Sequence, residues 1–135
     1  MNNNARWKKR IQVLNIIYSD VVINHTSNKN LVIKQAFEND NFDHDQIKVL
    51  EYYFDYYKKF EQEITKRLNP TWTYQRINVL TKTIILSSLS EFYALDTPIN
   101  VIIDQALKTC DHRGLVRDKQ FINAILDKII KDGQK

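Results

Sequence analysis

Hydrophobic residues recur every three or four positions along most of this chain, with polar residues between them. In the first half, this spacing predicts a helix over about 5–24, a short helix after Asn30 and a long helix over about 45–68. The long helix is predicted to end at Asn69, because Pro70 disfavours helical geometry in the residue before it. The first half therefore reads as three helices.

The second half shows the same periodicity and predicts three more helices. The helix over 77–92 is apolar on more than one side, which indicates a central, mostly buried position. Thr97 and Pro98 are interpreted as the N-cap and first residue of the next helix. Gly114 is the predicted C-cap of that helix, and Asp118 is a candidate cap for the last one.

Composition supports the same architecture. The chain has only two glycines and two prolines, whereas the turns that connect strands draw heavily on these residues. A chain of 135 residues fits one domain and can bury a core without disulfides or metals. We predict one all-α domain, 1–135, with about six main helices in two packed sub-bundles, 1–69 and 70–135, hinged near 69–75.

The residues offer no catalytic or metal-binding arrangement. Cys110 is the single cysteine, which excludes a disulfide framework and a four-cysteine zinc site. His112 lies two positions later and so points in another direction on a helix, which leaves Cys110 as a buried structural residue. Glu61 and Glu63 are interpreted as parts of a solvated face. We predict no enzyme activity, no cofactor and no metal.

The chain also shows no targeting or membrane segment. No apolar run reaches membrane-spanning length, and no apolar secretory core follows the first residues. These observations predict a cytoplasmic protein.

The distribution of charge is relevant to the kind of partner. The formal net charge is +4, with a pI near 9.1. Four bases and no acid occur within the first ten residues: Arg6, Lys8, Lys9 and Arg10. Such a patch attracts polyanions and would make nucleic-acid binding salt-dependent. On composition alone, these four bases can form either a nucleic-acid surface or an inert, solvated N-terminus.

A tyrosine-rich stretch in the third helix has two interpretations. Aromatic side chains next to lysines can stack on single-stranded bases. Tyr53, Phe54 and Tyr57 nevertheless fall on the apolar face, which predicts that they pack in the core. Tyr52 and Tyr56 share another face and receive no assignment.

Several motifs together resemble the NusB-type transcription antitermination factors. In chain order they are Arg10 with IIYS (16–19), WTYQRI (72–77), LSEF (89–92), DTPINV (96–101), DQA (104–106) and FINAILD (121–127). The chain departs from the family pattern at Asp104-Gln105, which permutes an amide and an acid, at Ala124, where glycine is usual, and at Leu86, where arginine is frequent. Residues 25–69 match little beyond helix lengths.

The resemblance implies a non-enzymatic, two-part helical protein, monomeric or dimeric. Family members pair with the ribosomal protein NusE, bind the single-stranded boxA segment of nascent ribosomal RNA, and help assemble an antitermination complex on RNA polymerase. Carried over by position, the RNA-binding residues are Arg6, Lys8, Lys9, Arg10, Tyr18, Arg117, Lys119 and Phe121. The bases would neutralise phosphates and the aromatic rings would stack on bases. Tyr18 and Phe121 also lie on apolar stripes, so core packing stays open for both.

One rival function belongs to a different class. A helical protein–protein adaptor without RNA binding would use exposed aromatic residues to bind a partner. Glu91 matches a family position in the half expected to face NusE, but it can equally be structural and is given no role.

Overall fold

The computed structural model describes residues 3–133, which form six α-helices and contain no strand. The helices are α1 (Asn3–Val22), α2 (Lys29–Glu38), α3 (His44–Lys66), α4 (Val79–Leu95), α5 (Ile99–His112) and α6 (Lys119–Gly133). Short 3-10 turns, Tyr74–Arg76 and Val116–Asp118, precede α4 and α6. None of the described helices is long and apolar enough to cross a membrane. The predicted all-α fold is confirmed.

Side-chain caps define where the early helices begin. Asn28 caps α2 by accepting a hydrogen bond from the backbone N–H of Leu31 at 3.1 Å. Asp43 and Gln46 form a reciprocal capping box at α3, with hydrogen bonds of 2.9 and 3.0 Å. Each cap satisfies a backbone donor that the first helical turn leaves free and is worth about 1 kcal/mol.

The start of α5 differs from the prediction by one residue. Pro98 is the N-cap, with ψ 143°, and no side-chain cap is present. The assignment of Thr97 as N-cap was wrong, because the extended backbone of Pro98 delays the first helical residue to Ile99. The carbonyl of Pro98 accepts the first helical hydrogen bond, from the N–H of Ile102 at 3.0 Å.

The end of α5 also differs from the prediction by one residue, because Arg113 is the C-cap and Gly114 follows it. Gly114 has φ 75°, a left-handed conformation that glycine adopts without steric cost. The next residue, Leu115, donates its N–H back to the carbonyl of Cys110 at 2.8 Å, as in a Schellman motif. Asp118 directly precedes α6, and its carboxylate accepts a hydrogen bond from the Thr81 hydroxyl of α4 at 2.6 Å.

Helix α4 occupies the centre of the fold. It packs against α1, α3, α5 and α6, and its buried residues cover several sides of the helix. Its predicted central position is confirmed. Leu86 is fully buried, so the position where the family often has arginine lies within the core here. Because α4 touches α1 and α3 as well as α5 and α6, it packs against helices from both sides of the 67–78 connection. The single domain 1–135 and its division into two halves stay a prediction.

Candidate nucleic-acid interface

The basic residues of α1 divide into paired and unpaired groups. Arg6 and Lys8 are exposed and form no ion pair with any residue that the structure describes. Lys9 is half-buried and bonds to the N-cap carboxylate of Asp43 at 2.6 Å. Of these three, Arg6 and Lys8 are therefore the freer charges for an external phosphate.

Arg10 is fixed by a carboxylate from the central helix. Its Nε and Nη2 donate to Oε1 and Oε2 of Glu91 at 2.8 and 3.1 Å. The two side chains are only 26% and 11% exposed, so this bidentate pair links α1 to α4 in a partly desolvated place. Glu91, which the sequence left without a role, is the structural partner of Arg10. An RNA contact by Arg10 stays a prediction.

A cleft beside α1 has mixed charge. It measures about 580 Å³ and lies between α1, the start of α3 and the α4–α5 junction. Its charged lining residues are the bases Arg6, Lys9 and Arg10 and the acids Asp43, Asp45, Glu91 and Asp96. With four acids facing three bases, this side of α1 has no electrostatic preference for a polyanion.

The predicted residues near α6 differ in how accessible they are. Arg117 is exposed in the 3-10 turn, and no partner for it is found among the described residues. Lys119 is half-buried and contacts Asp111 at 2.9 Å. Phe121 is also half-buried and packs against the core, whereas Tyr18 on α1 is 40% exposed. Of the two aromatic residues, Tyr18 has more surface available for stacking.

The end of α5 contacts α1. It lies between the predicted RNA-binding residues of α1 and those near the start of α6. Lys108 Nζ is 4.8 Å from the ring centroid of Trp7, and the His112 ring meets Trp7 edge-on at 4.9 Å. Arg113, the residue after His112, donates its Nη2 to Asn15 Oδ1 at 3.2 Å. Sequence reasoning missed these contacts, because periodicity places Trp7 on a helix face without naming the helix that it meets.

A second polar cluster holds the α1–α2 turn against α3. Tyr53 donates its hydroxyl to Asp20 Oδ2 at 2.5 Å, and His25 Nδ1 lies 3.1 Å from Asp20 Oδ2 and 2.9 Å from the Tyr53 hydroxyl. His25 Nε2 lies 3.5 Å from Glu61 Oε2. The interpretation of Glu61 as a solvated residue was wrong, because this carboxylate is half-buried against a histidine.

Ionisation within this cluster follows from its hydrogen bonds. Burial alone would raise the pKa of Asp20, but hydrogen bonds from Tyr53 and Ser27 outweigh it and hold the pKa below its usual range. Burial alone would lower the pKa of His25, but Glu61 and Asp20 outweigh it and raise the pKa above its usual range. The arrangement favours an imidazolium between two carboxylates.

The remaining candidate chemistry is structural. Cys110 is fully buried, and burial raises the pKa of its thiol to about 11, so the reactive thiolate is disfavoured. His112 packs on Trp7 and does not act as a base for Cys110. Within residues 3–133, no group of three or more histidine, cysteine or acidic residues is placed to hold a metal ion.

The family of the chain follows from comparison with known proteins. A model described as the NusB family matches residues 8–131. The chain belongs to the NusB family. The resemblance seen in its motifs is thereby confirmed, and the match covers Lys8, Lys9 and Arg10 of α1 and the start of α6, while Arg6 lies outside it.

Individual NusB relatives agree with this assignment. The transcription antitermination protein NusB of Pseudothermotoga lettingae is 31% identical over 61 residues, covering 44% of this chain and 44% of that protein. The chain spans about half the length of the curated relatives it matches. Their names describe transcription antitermination proteins and not enzymes, in agreement with the prediction that this chain is not an enzyme.

Solved structures show that the NusB fold is shared along most of the chain. T. maritima NusB superposes with a TM-score of 0.73 at 20% identity, covering 93% of this chain and 90% of that one. A conserved hypothetical protein from Mycoplasma genitalium, which shows structural homology to NusB proteins, gives a TM-score of 0.71 at 21% identity. That match covers 84% of this chain and 90% of the other.

Proposed function

We propose that this protein is a transcription antitermination factor. In this proposal it binds boxA-type RNA of nascent ribosomal transcripts together with NusE, and it helps assemble an antitermination complex on RNA polymerase. The match to the NusB family over residues 8–131 carries the proposal. The protein acts in the cytoplasm, as a monomer or homodimer, without a cofactor.

Surface charge and exposure support RNA as the ligand. Arg6, Lys8 and Arg117 are exposed cations, which is the property that phosphate contacts require. Tyr18 presents an accessible ring on the same helix as Arg6 and Lys8, and stacking on such rings is a common mode of single-strand recognition. Lys9, Arg10, Lys119 and Phe121 are held by other residues or by the core, so we assign them smaller direct contributions.

Binding of a labelled boxA-like RNA tests the proposal. Fluorescence anisotropy would be measured with this protein alone and then with NusE, over a series of salt concentrations. A scrambled RNA of the same length is the control. We expect selective binding that tightens when NusE is present. Equal, weak binding to both RNAs would contradict the proposal and identify the basic residues as a nonspecific polycation.

A protein–protein adaptor is the alternative function. It is favoured by large apolar side chains that remain exposed, among them Leu31 at 63%, Phe37 at 55% and Trp72 at 54%. Such residues are common at interfaces between proteins. Binding to NusE without any affinity for either RNA would favour this alternative.

A further inference from the structure

The C-terminal end of α5 carries three exposed basic side chains, Lys108, His112 and Arg113, here called the α5 basic end. Lys108 and His112 contact the half-buried ring of Trp7, and Arg113 donates a hydrogen bond to Asn15. All three are therefore held beside α1 in fixed positions. A preorganised side chain loses less conformational entropy on binding than a freely moving one.

The α5 basic end also adjoins the start of α6. Asp111, between Lys108 and His112 in sequence, bonds to Lys119 at 2.9 Å. Gly114 then turns the chain directly into the 3-10 turn that carries Arg117. The three segments thus meet along one side of the protein, where Trp7 to Tyr18 alone extends for about 16 Å along α1.

This side of the protein is cationic. Its permanent cations are Lys8, Lys108, Arg113, Arg117 and Lys119, and its acids are Asp104, Asp111 and Asp118. Lys119 and Asp111 form an ion pair within this side, which leaves four cations against the two acids Asp104 and Asp118. The cleft on the other side of α1 has four acids against three bases. A polyanion is therefore attracted to the side formed by α5.

We propose that the α5 basic end is the middle of the RNA-binding surface, where Lys108 and Arg113 contact the phosphates of a single strand that runs between α1 and the start of α6. The inference rests on the proposed function for the identity of the RNA. It adds binding residues on a third helix. An acidic protein partner is the competing occupant, but the exposed ring of Tyr18, about one turn beyond Asn15 on α1, favours a strand that has both phosphates and bases.

The test compares two variants that each lose two positive charges. Lys108→Gln with Arg113→Gln removes the cations of the α5 basic end and keeps much of their aliphatic stems. Lys34→Gln with Lys58→Gln removes two exposed lysines from α2 and α3 and serves as the matched control. Circular dichroism and thermal unfolding would first establish that both variants keep the helical fold, and anisotropy would then measure RNA affinity against salt.

Each lost phosphate contact reduces the slope of log K against log salt by about 0.7 for a single strand. We therefore expect the slope of the α5 variant to fall by about 1.4, which corresponds to about 25-fold weaker binding at 0.1 M salt. The control variant should bind like the unmodified protein.

The outcomes separate this inference from the proposed function. If the unmodified protein prefers boxA-like RNA and the α5 variant binds as the control does, the α5 assignment is overturned and the antitermination function stands. If both RNAs bind equally and only the α5 variant is weakened, the surface is supported and the boxA function is not. Loss of NusE binding with unchanged RNA affinity would assign the α5 basic end to the protein partner and overturn the inference. No RNA binding at all would overturn both.

Discussion

The guanidinium of Arg10 on α1 and the carboxylate of Glu91 on α4 form a two-pronged ion pair, with donor–acceptor distances of 2.8 and 3.1 Å. This contact joins the first helix to the central one across 81 positions of sequence. It also engages the base that the motif comparison placed on the RNA surface. A variant of Arg10 therefore reports on stability as well as on RNA binding.

We expect Arg10→Ala to lower the free energy of unfolding by about 1–3 kcal/mol, because it leaves the carboxylate of Glu91 partly buried without its partner. Urea unfolding would measure the change. Lys8→Ala on the same helix is the control and should stay within about 0.5 kcal/mol of the unmodified protein. A double variant with Glu91→Gln should lose much less than the sum of the two single losses, and strict additivity would show that the pair is not coupled.

Arg6→Ala with Lys8→Ala should weaken RNA binding while the helix content and the unfolding midpoint remain unchanged. Both side chains are exposed, and each phosphate contact contributes about 0.7 to the salt slope for a single strand. The slope should fall by about 1.4, as measured by anisotropy between low and moderate salt. An unchanged slope would remove the N-terminal bases from the interface.

Stability should decrease as the pH rises past neutrality because of His25. Its pKa is raised by Glu61 and Asp20, so the folded state binds the proton more tightly than the unfolded state, whose histidine titrates near about 6.5. The stabilisation is complete below that value and is lost as the pH rises through the raised pKa of the folded protein. Thermal unfolding from pH 5 to 9 would measure it.

His25→Gln should flatten this pH dependence, since it removes the group whose pKa differs between the folded and unfolded states. His44, which is exposed at the start of α3, offers a matched control through His44→Gln. The groups that face His25 are Asp20 from α1 and Tyr53, Tyr57 and Glu61 from α3. A histidine variant that kept the full pH dependence would assign the effect to another group.

Gly114→Ala should destabilise the protein by about 1 kcal/mol through its backbone alone. A Cβ at this position would meet no atom within 4 Å, so the left-handed φ of 75° is the only source of strain. Gly114→Asn should cost less, because asparagine tolerates the left-handed region better. Urea unfolding of the two variants would compare them, and equal stability of Gly114→Ala and the unmodified protein would refute the argument.

Sequence periodicity alone located the six helices to within a few residues. A stripe of apolar residues at steps of three and four needs no knowledge of the rest of the fold, and the turn at Gly114 is a local effect of backbone geometry. The predicted stop at Asn69-Pro70 was wrong by three residues, because α3 already ends at Lys66 with Arg67 as its C-cap. The central burial of α4 also followed from its sequence, because a helix that is apolar on several sides must be covered on several sides.

The motifs likewise determined the family, since they extend along the chain in a specific order and do not depend on knowing which side chains touch. Tertiary structure alone decided which charges are available. Arg10 and Lys9 look like Arg6 and Lys8 in the sequence, but only the former pair meets acids, Glu91 and Asp43, that lie far away along the chain.

The polar cluster around His25 and the α5 basic end were not predicted for the same reason: both depend on contacts between residues that are far apart in the sequence. Glu61 is an ordinary helix carboxylate until the α1–α2 turn brings His25 against it, and Lys108 is an ordinary surface lysine until α5 packs beside Trp7. Helical propensity and capping act over a few residues, so they can be predicted from the sequence. The pairing of charges depends on which helix faces meet, and that is settled by packing of the whole core.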